Sequence, residues 1–196
     1  MELNRTKTLS NLMRALAGET LARNRYELAA EAAEREKLPV LCAVFRYTAG
    51  QEREHAEVFA QLLRDAGVNN VSFTGDFPVD RSASTLALLA AAVRNEEQEH
   101  TDVYPAFAAQ ARKEGFEDVA RKFEMIAEVE KCHAGRFEAF RKLLAENRLF
   151  VSDAECGWVC LNCGHEFRAE AAPGQCPVCG KEGFFIRVEM SPYSYS

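Results

Sequence analysis

The sequence has no long hydrophobic run, no excess of basic charge and almost no proline in its first three-quarters. No stretch approaches the ~18 consecutive apolar residues of a membrane span, so a membrane protein is not expected. Lys and Arg total 24 against 30 Asp and Glu, a net charge of −6. That balance lacks the basic patch of a general nucleic-acid binder. The polar N-terminal stretch, Met1 to Ser10, has no apolar core of a secretion signal, so a cytoplasmic location is expected. No GxGxxG fingerprint is present, so the chain itself is not expected to bind a nicotinamide dinucleotide. Wholesale disorder is excluded by a composition of 47% hydrophobic and 28% charged residues over 196 positions.

What is present falls into two regions. Residues 1–147 hold only three prolines, Pro39, Pro78 and Pro105, among long stretches of Ala, Leu, Glu, Lys and Arg. Such composition favours helix. Four long helices are predicted: Thr6 to Glu36, Pro39 to Ala66, Ser84 to Glu114, and Phe116 to about Glu146. The first and second are joined by a short connection, as are the third and fourth, which predicts antiparallel hairpins. The segment from Val68 to Ala83 is long enough to cross over a bundle. Two hairpins with one crossover make a ferritin-like four-helix bundle. Beyond a linker at 148–155, the periodicity fails and residues 156–196 alternate short apolar pieces with Gly, Pro and Cys. A core so small needs a metal to fold.

Ionisable residues interrupt the apolar stripes that should face the bundle interior. The second helix runs Leu41, Phe45, Thr48, Glu52, His55, Phe59, Leu62. The fourth runs Phe123, Ile126, Glu130, His133, Phe137, Phe140, Leu144. On the third helix the stripe is Leu89, Ala92, Glu96, Glu99, Val103, and on the first Leu9, Leu12, Leu16, Glu19, Tyr26. A lone Glu on a helix normally faces water, but these sit between Leu, Ile and Phe. Burying one unpaired carboxylate costs several kcal/mol, so five together call for cations. Glu52-x-x-His55 and Glu130-x-x-His133 each set a carboxylate and an imidazole about 4.5 Å apart along one helix face. With Glu19 and Glu96 they form the di-iron carboxylate pattern. Glu19 precedes Glu52 by 33 residues and Glu96 precedes Glu130 by 34, so the hairpins repeat. A structural polar network is the alternative. A second register, Glu97-x-x-His100, remains open on spacing alone, and Glu99 is an extra carboxylate.

Five of the seven cysteines lie in the last 41 residues. Cys160-x-x-Cys163-Gly164 and Cys176-x-x-Cys179-Gly180 are two metal knuckles, suited to zinc or iron. A structural zinc ribbon is the default from spacing, although a neighbouring redox bundle would gain from a one-electron iron carrier. Cys156 reads as a spectator, Cys42 and Cys132 as buried small hydrophobes, and His165 as an exposed loop residue.

Together, Ala17-Gly18-Glu19, Ala22-Arg23-Asn24-Arg25-Tyr26, Gln51-Glu52-Arg53-Glu54-His55-Ala56, Tyr104-Pro105 and the knuckles resemble the rubrerythrin family over nearly the whole chain. The resemblance implies that Glu19, Glu52, Glu96, Glu99, Glu130 and His133 hold two non-haem irons. It further implies that His55 replaces Glu99 on reduction, and that Cys160, Cys163, Cys176 and Cys179 hold a rubredoxin-like iron, with zinc able to substitute. It favours the Glu96 register. Tyr26 and Tyr104 are candidates to hydrogen-bond ligand carboxylates, with plain core packing as the alternative. The implied activity is reduction of hydrogen peroxide to water in oxidative-stress protection. Electrons would come from NAD(P)H through a separate reductase or rubredoxin, in a homodimer or higher oligomer. A ferroxidase or O2-reducing iron protein and a zinc-ribbon interaction protein are the rival functions. Two departures stand out: Arg94-Asn95 precedes Glu96 where the family has small residues, and Cys132 lies inside the second Glu-x-x-His.

Overall fold

The computed structural model describes residues 3, 6–80, 82 and 84–191. Arg81 and Ala83 of the expected crossover, and parts of both terminal segments named above, lie outside them. The chain forms α1 (Lys7–Arg35), α2 (Pro39–Asp65), α3 (Thr85–Gln98), a π-helical turn (Glu99–Val103), α4 (Tyr104–Lys113) and α5 (Glu117–Ala145). Three strands follow, β1 (Val151–Cys160), β2 (Glu166–Ala171) and β3 (Phe185–Arg187), in an antiparallel sheet of order β2-β1-β3. Among the described residues no helix is long and apolar enough to cross a membrane. The fold is mainly helical, a ferritin-like bundle with one crossover and a small metal ribbon.

The helices stop where the backbone can turn left-handed. Lys37, Gly67, Gly115 and Asn147 have φ of 59°, 69°, 82° and 55°. The next residue then bonds back five positions: Leu38 N–H to the Ala33 carbonyl at 2.9 Å, and Phe116 N–H to Ala111 at 2.9 Å. This is the Schellman closure, which satisfies carbonyls the helix leaves open. Pro39 opens α2 at a position where no backbone N–H is needed.

Two glutamates at helix ends cap the starts of other helices. Glu36, following α1, accepts the Thr85 N–H at 2.9 Å at the start of α3. Glu114, following α4, accepts the Lys7 and Thr8 N–H groups at 3.1 and 2.8 Å and the Thr8 hydroxyl at 2.6 Å. The first half of the bundle thus caps the second and the second caps the first.

The third predicted helix is interrupted, which sequence periodicity did not foresee. The π-helical turn inserts one residue, and this explains the two unequal spacings of 33 and 34. Tyr26 lies seven residues after Glu19, whereas Tyr104 lies eight after Glu96. Single π turns of this kind concentrate at functional sites.

The segment expected to be a linker, 148–155, carries the first five residues of β1. Strand pairing sets Trp158 opposite Phe167 and Arg187. Leu149 and Ile186 share one buried cluster with Val40, Phe45, Phe137 and Phe140, so the apolar core runs from bundle into ribbon.

Candidate metal centres

Helices α1, α2, α3 and α5 deliver donors to the same depth of the bundle because Glu19, Glu52, Glu96, Glu130 and His133 interrupt buried stripes of Ala, Phe and Leu. All five are at most 1% exposed. Two groups of donor atoms form, with all atoms of a group within 4.8 Å of one another: Glu19, Glu52, His55 and Glu130; and Glu52, Glu96, Glu130 and His133. Glu52 and Glu130 belong to both. His55 Nδ1 lies 3.1 Å from Glu52 and 3.0 Å from Glu130, and His133 Nδ1 lies 2.9 and 2.8 Å from the same two carboxylates. The imidazole rings stack with centroids 5.6 Å apart. Glu99 joins neither group. It lies on the π-helical turn, where its counterpart in the first hairpin is Ala22.

Orphaned polar atoms test whether this cluster suits metal ions. Apart from the close approaches of carboxylate and imidazole to one another, Glu19 Oε2, Glu52 Oε1, Glu96 Oε2, both Glu130 oxygens and His133 Nδ1 are buried without a hydrogen-bond partner. Leaving so many acceptors empty is costly unless a cation fills the space between them. The electrostatics agree. Burial raises the Glu19 carboxyl, and it pushes Glu96 up to about 8. It also raises Glu99, with the negative charges of Glu19 and Glu96 adding to the effect. Burial disfavours the two imidazolium ions. The carboxylates of Glu130, Glu19 and Glu52 around His55, and of Glu130, Glu52 and Glu96 around His133, favour the protonated rings, outweigh burial and push both to about 12. Glu52 is correspondingly held down to about 2, burial being outweighed by His133 and His55. Without metal the site therefore recruits protons as its cations. Hard carboxylates with imidazole suit a pair of non-haem irons.

Supporting groups orient these donors. The Tyr26 hydroxyl donates to Glu96 and the Tyr104 hydroxyl donates to Glu19, so each tyrosine serves the carboxylate of the opposite hairpin. Both rings are also packed in aromatic clusters, with Phe137 and Phe123 among their neighbours. Gln51 and Arg136 were not singled out from sequence. With its Nδ1 turned to the carboxylates, His133 donates through Nε2–H to Gln51 Oε1 at 3.1 Å. Arg136 donates to the same oxygen at 2.9 Å and to Thr48 at 3.0 Å. Such partners fix the ring's tautomer and direction. The available signal was Arg136 itself, a cation one turn beyond His133 on a buried face. Of the alternative register, Glu97 is exposed and the His100 ring bonds the Ala127 carbonyl at 2.9 Å, away from the cluster.

In the ribbon the two knuckles have matching geometry. Gly164 and Gly180 take φ of 75° and 71°, and their N–H groups return to the Cys160 and Cys176 carbonyls at 2.8 and 2.9 Å. Cys160 and Cys179 sulfurs lie 3.8 Å apart, and those of Cys163 and Cys176 3.7 Å. A tetrahedral site with metal–sulfur bonds of about 2.3 Å has edges of about 3.8 Å, far from a disulfide's ~2.05 Å. The four thiols fit one iron. The Lys181 backbone N–H helps lower the Cys179 thiol to about 6. His165 stacks on Phe167, and Cys156 pairs with Ala169 in the sheet. Cys42 is buried as expected, but Cys132 is exposed: its position on α5 turns it from the core while His133 turns in.

The comparisons agree with this geometry. The rubrerythrin family model matches residues 10–143 and 87–158, and that of the rubrerythrin rubredoxin-like domain matches 158–184. Rubrerythrin-1 of Clostridium acetobutylicum is 40% identical over 179 residues, covering 90% of this chain and 91% of that protein. Rubrerythrin of Nitratidesulfovibrio vulgaris is 37% identical over 177 residues, covering 90% and 91%. A solved structure of nigerythrin in its fully reduced, all-ferrous state superposes with a TM-score of 0.63 at 26% identity, covering 94% of this chain and 91% of that one. With a carboxylate–imidazole cluster in the bundle and four thiols in the ribbon, the chain belongs to the rubrerythrin family.

Proposed function

We propose that this oxidoreductase reduces hydrogen peroxide to water, H2O2 + 2 H+ + 2 e− → 2 H2O. The observation that carries the reading is the pair of donor groups sharing Glu52 and Glu130, with a further carboxylate, Glu99, held outside them. Glu19, Glu52, His55 and Glu130 would hold one iron, and Glu52, Glu96, Glu130 and His133 the other. When bound, the iron pair supplies two electrons together and positive charge for the oxygens as the O–O bond breaks. The protein's part is positioning. Tyr26 and Tyr104 hold one oxygen each of Glu96 and Glu19, which keeps those carboxylates turned inward. Gln51 and Arg136 hold the His133 ring so that Nδ1 faces the site. The arrangement with His55 inside and Glu99 outside is the one the family resemblance assigns to the reduced form.

Cys160, Cys163, Cys176 and Cys179 would hold the one-electron carrier that refills the pair. Cys163 is exposed, so electrons can arrive at that edge. Their source would be a separate NAD(P)H-linked reductase or rubredoxin, acting on a cytoplasmic homodimer or higher oligomer. Stopped-flow mixing of the anaerobically reduced, iron-loaded protein with hydrogen peroxide or with O2 tests the reading. Reoxidation by peroxide within milliseconds to seconds, well ahead of O2, is expected. Faster reaction with O2 would favour a ferroxidase instead. Stoichiometric zinc with no visible iron absorption would favour the structural ribbon.

A further inference from the structure

A cavity of about 250 Å³ lies between the crossover segment and the α1, α3 and α4 side of the bundle. Its inner end is formed by Glu99, the carboxylate outside both donor groups, and by Tyr104, whose hydroxyl bonds Glu19. The cavity therefore stops one side chain short of the metal cluster. Its outer wall is the crossover, at Asp76, Phe77 and Pro78. Asp76 and Pro78 are exposed while Phe77 between them is turned inward and half-buried.

Two glycines, Gly75 and Gly18, leave room for the Phe77 ring. A Cβ on Gly75 would stand 3.0 and 3.1 Å from the ring, so the loop grips it closely. On the α1 side a Cβ on Gly18 would stand 3.9 Å away, ordinary contact distance. The ring is thus held closely by the loop and lies against α1 at Gly18, with room for no more than about a methyl group between them. Arg14 and Asn95 add polar groups to the walls. An apolar ring on one wall with a few convergent polar groups, Arg14, Asn95 and Glu99, suits a small hydrogen-bonding molecule.

We propose that this cavity is the approach by which peroxide reaches the metal site, and that Phe77 sets the size of peroxide admitted. The inference rests on the peroxidase reading for its substrate, but the route itself can be tested separately. Hydrogen peroxide passes the ring, whereas a branched alkyl hydroperoxide meets it.

The test uses iron-loaded wild-type protein with Phe77→Ala and the milder Phe77→Leu, which keeps the loop's apolar anchor should the alanine variant fold poorly. The first readout is the rate at which azide binds the oxidised protein, followed by its visible absorption. Phe77→Ala should quicken binding at least about fivefold and Phe77→Leu less; rates within about twofold of wild type in both variants overturn the route. The second readout is kcat/KM for tert-butyl hydroperoxide relative to hydrogen peroxide. Removing the ring should raise that ratio about tenfold or more, the scale of discrimination by apolar contact. An unchanged ratio overturns the assignment of size selection to Phe77. Faster azide binding in a protein that reduces neither peroxide would sustain the route and refute the peroxidase reading instead.

Discussion

Glu52 and Glu130 each face both imidazoles and both metal positions, so losing one of them differs from losing Glu19 or Glu96, which face a single position. Glu52→Gln or Glu130→Gln should abolish binding of both bundle irons, leaving about one iron per chain in the ribbon. Glu96→Gln should spare the position formed by Glu19, Glu52, His55 and Glu130. Metal analysis after desalting checks this, and equal losses in all three variants would refute the shared role. Single residues of this kind were legible in the sequence because a carboxylate on an apolar stripe is costly, and cost makes it conspicuous. Gln51 was not legible, being an ordinary polar residue whose role depends on how His133 turns. Cys132 was misread for the converse reason: a cysteine reports nothing about its direction.

Helix number, order and ends were readable from composition, Pro39, Gly67 and Gly115, since these set local backbone preference. The π-helical turn was not, because one inserted residue leaves the apolar stripe nearly intact and shows only as 34 against 33. The long-range caps were hidden because they join residues distant in sequence. Glu114 offers a measurable case. Burial disfavours its charge, but the hydroxyl and N–H of Thr8 and the N–H of Lys7 outweigh this and lower its pKa. A carboxyl whose folded pKa is lowered stabilises fully above the unfolded value of about 4.3. That contribution is lost as pH falls through the folded value. Glu114→Ala should therefore cost about 1 kcal/mol at neutral pH, the usual worth of a helix cap. Urea unfolding of variant and wild type should show the difference shrinking below about pH 4; a constant difference would argue against the charged cap.

At the scale of the molecule, the ribbon contains Trp158, the only tryptophan of the chain, wholly buried beside Cys160, Cys176 and Phe185. Its fluorescence therefore reports the ribbon alone. Cys163→Ser should lose the ribbon metal and shift Trp158 emission to the red, with helical circular dichroism unchanged, since so small a core needs its metal. Stripping the bundle irons should instead lower the melting temperature. Ligand present at about 1,000 times its Kd stabilises by about 4 kcal/mol, worth roughly 8–16 °C in a protein of this size. Where the ribbon joins the bundle was not legible, since the apolar residues of β3 gave no sign that they complete a core begun in α2.

The sharing of carboxylates also changes how the chain is connected. The first hairpin supplies Glu19, Glu52 and His55, the second Glu96, Glu130 and His133, and each lends one carboxylate to the other's donor group. A bound ion would then close a ring through Glu52, the crossover and Glu130; unlike a disulfide it holds only while the chain is folded, because the donor groups come together only there. With metal in place the halves are tied twice, once by peptide bonds and once by coordination. A protease cut in the exposed crossover would open the ring but leave the halves tethered, so continuity of the backbone there matters less to the bundle than possession of its metals.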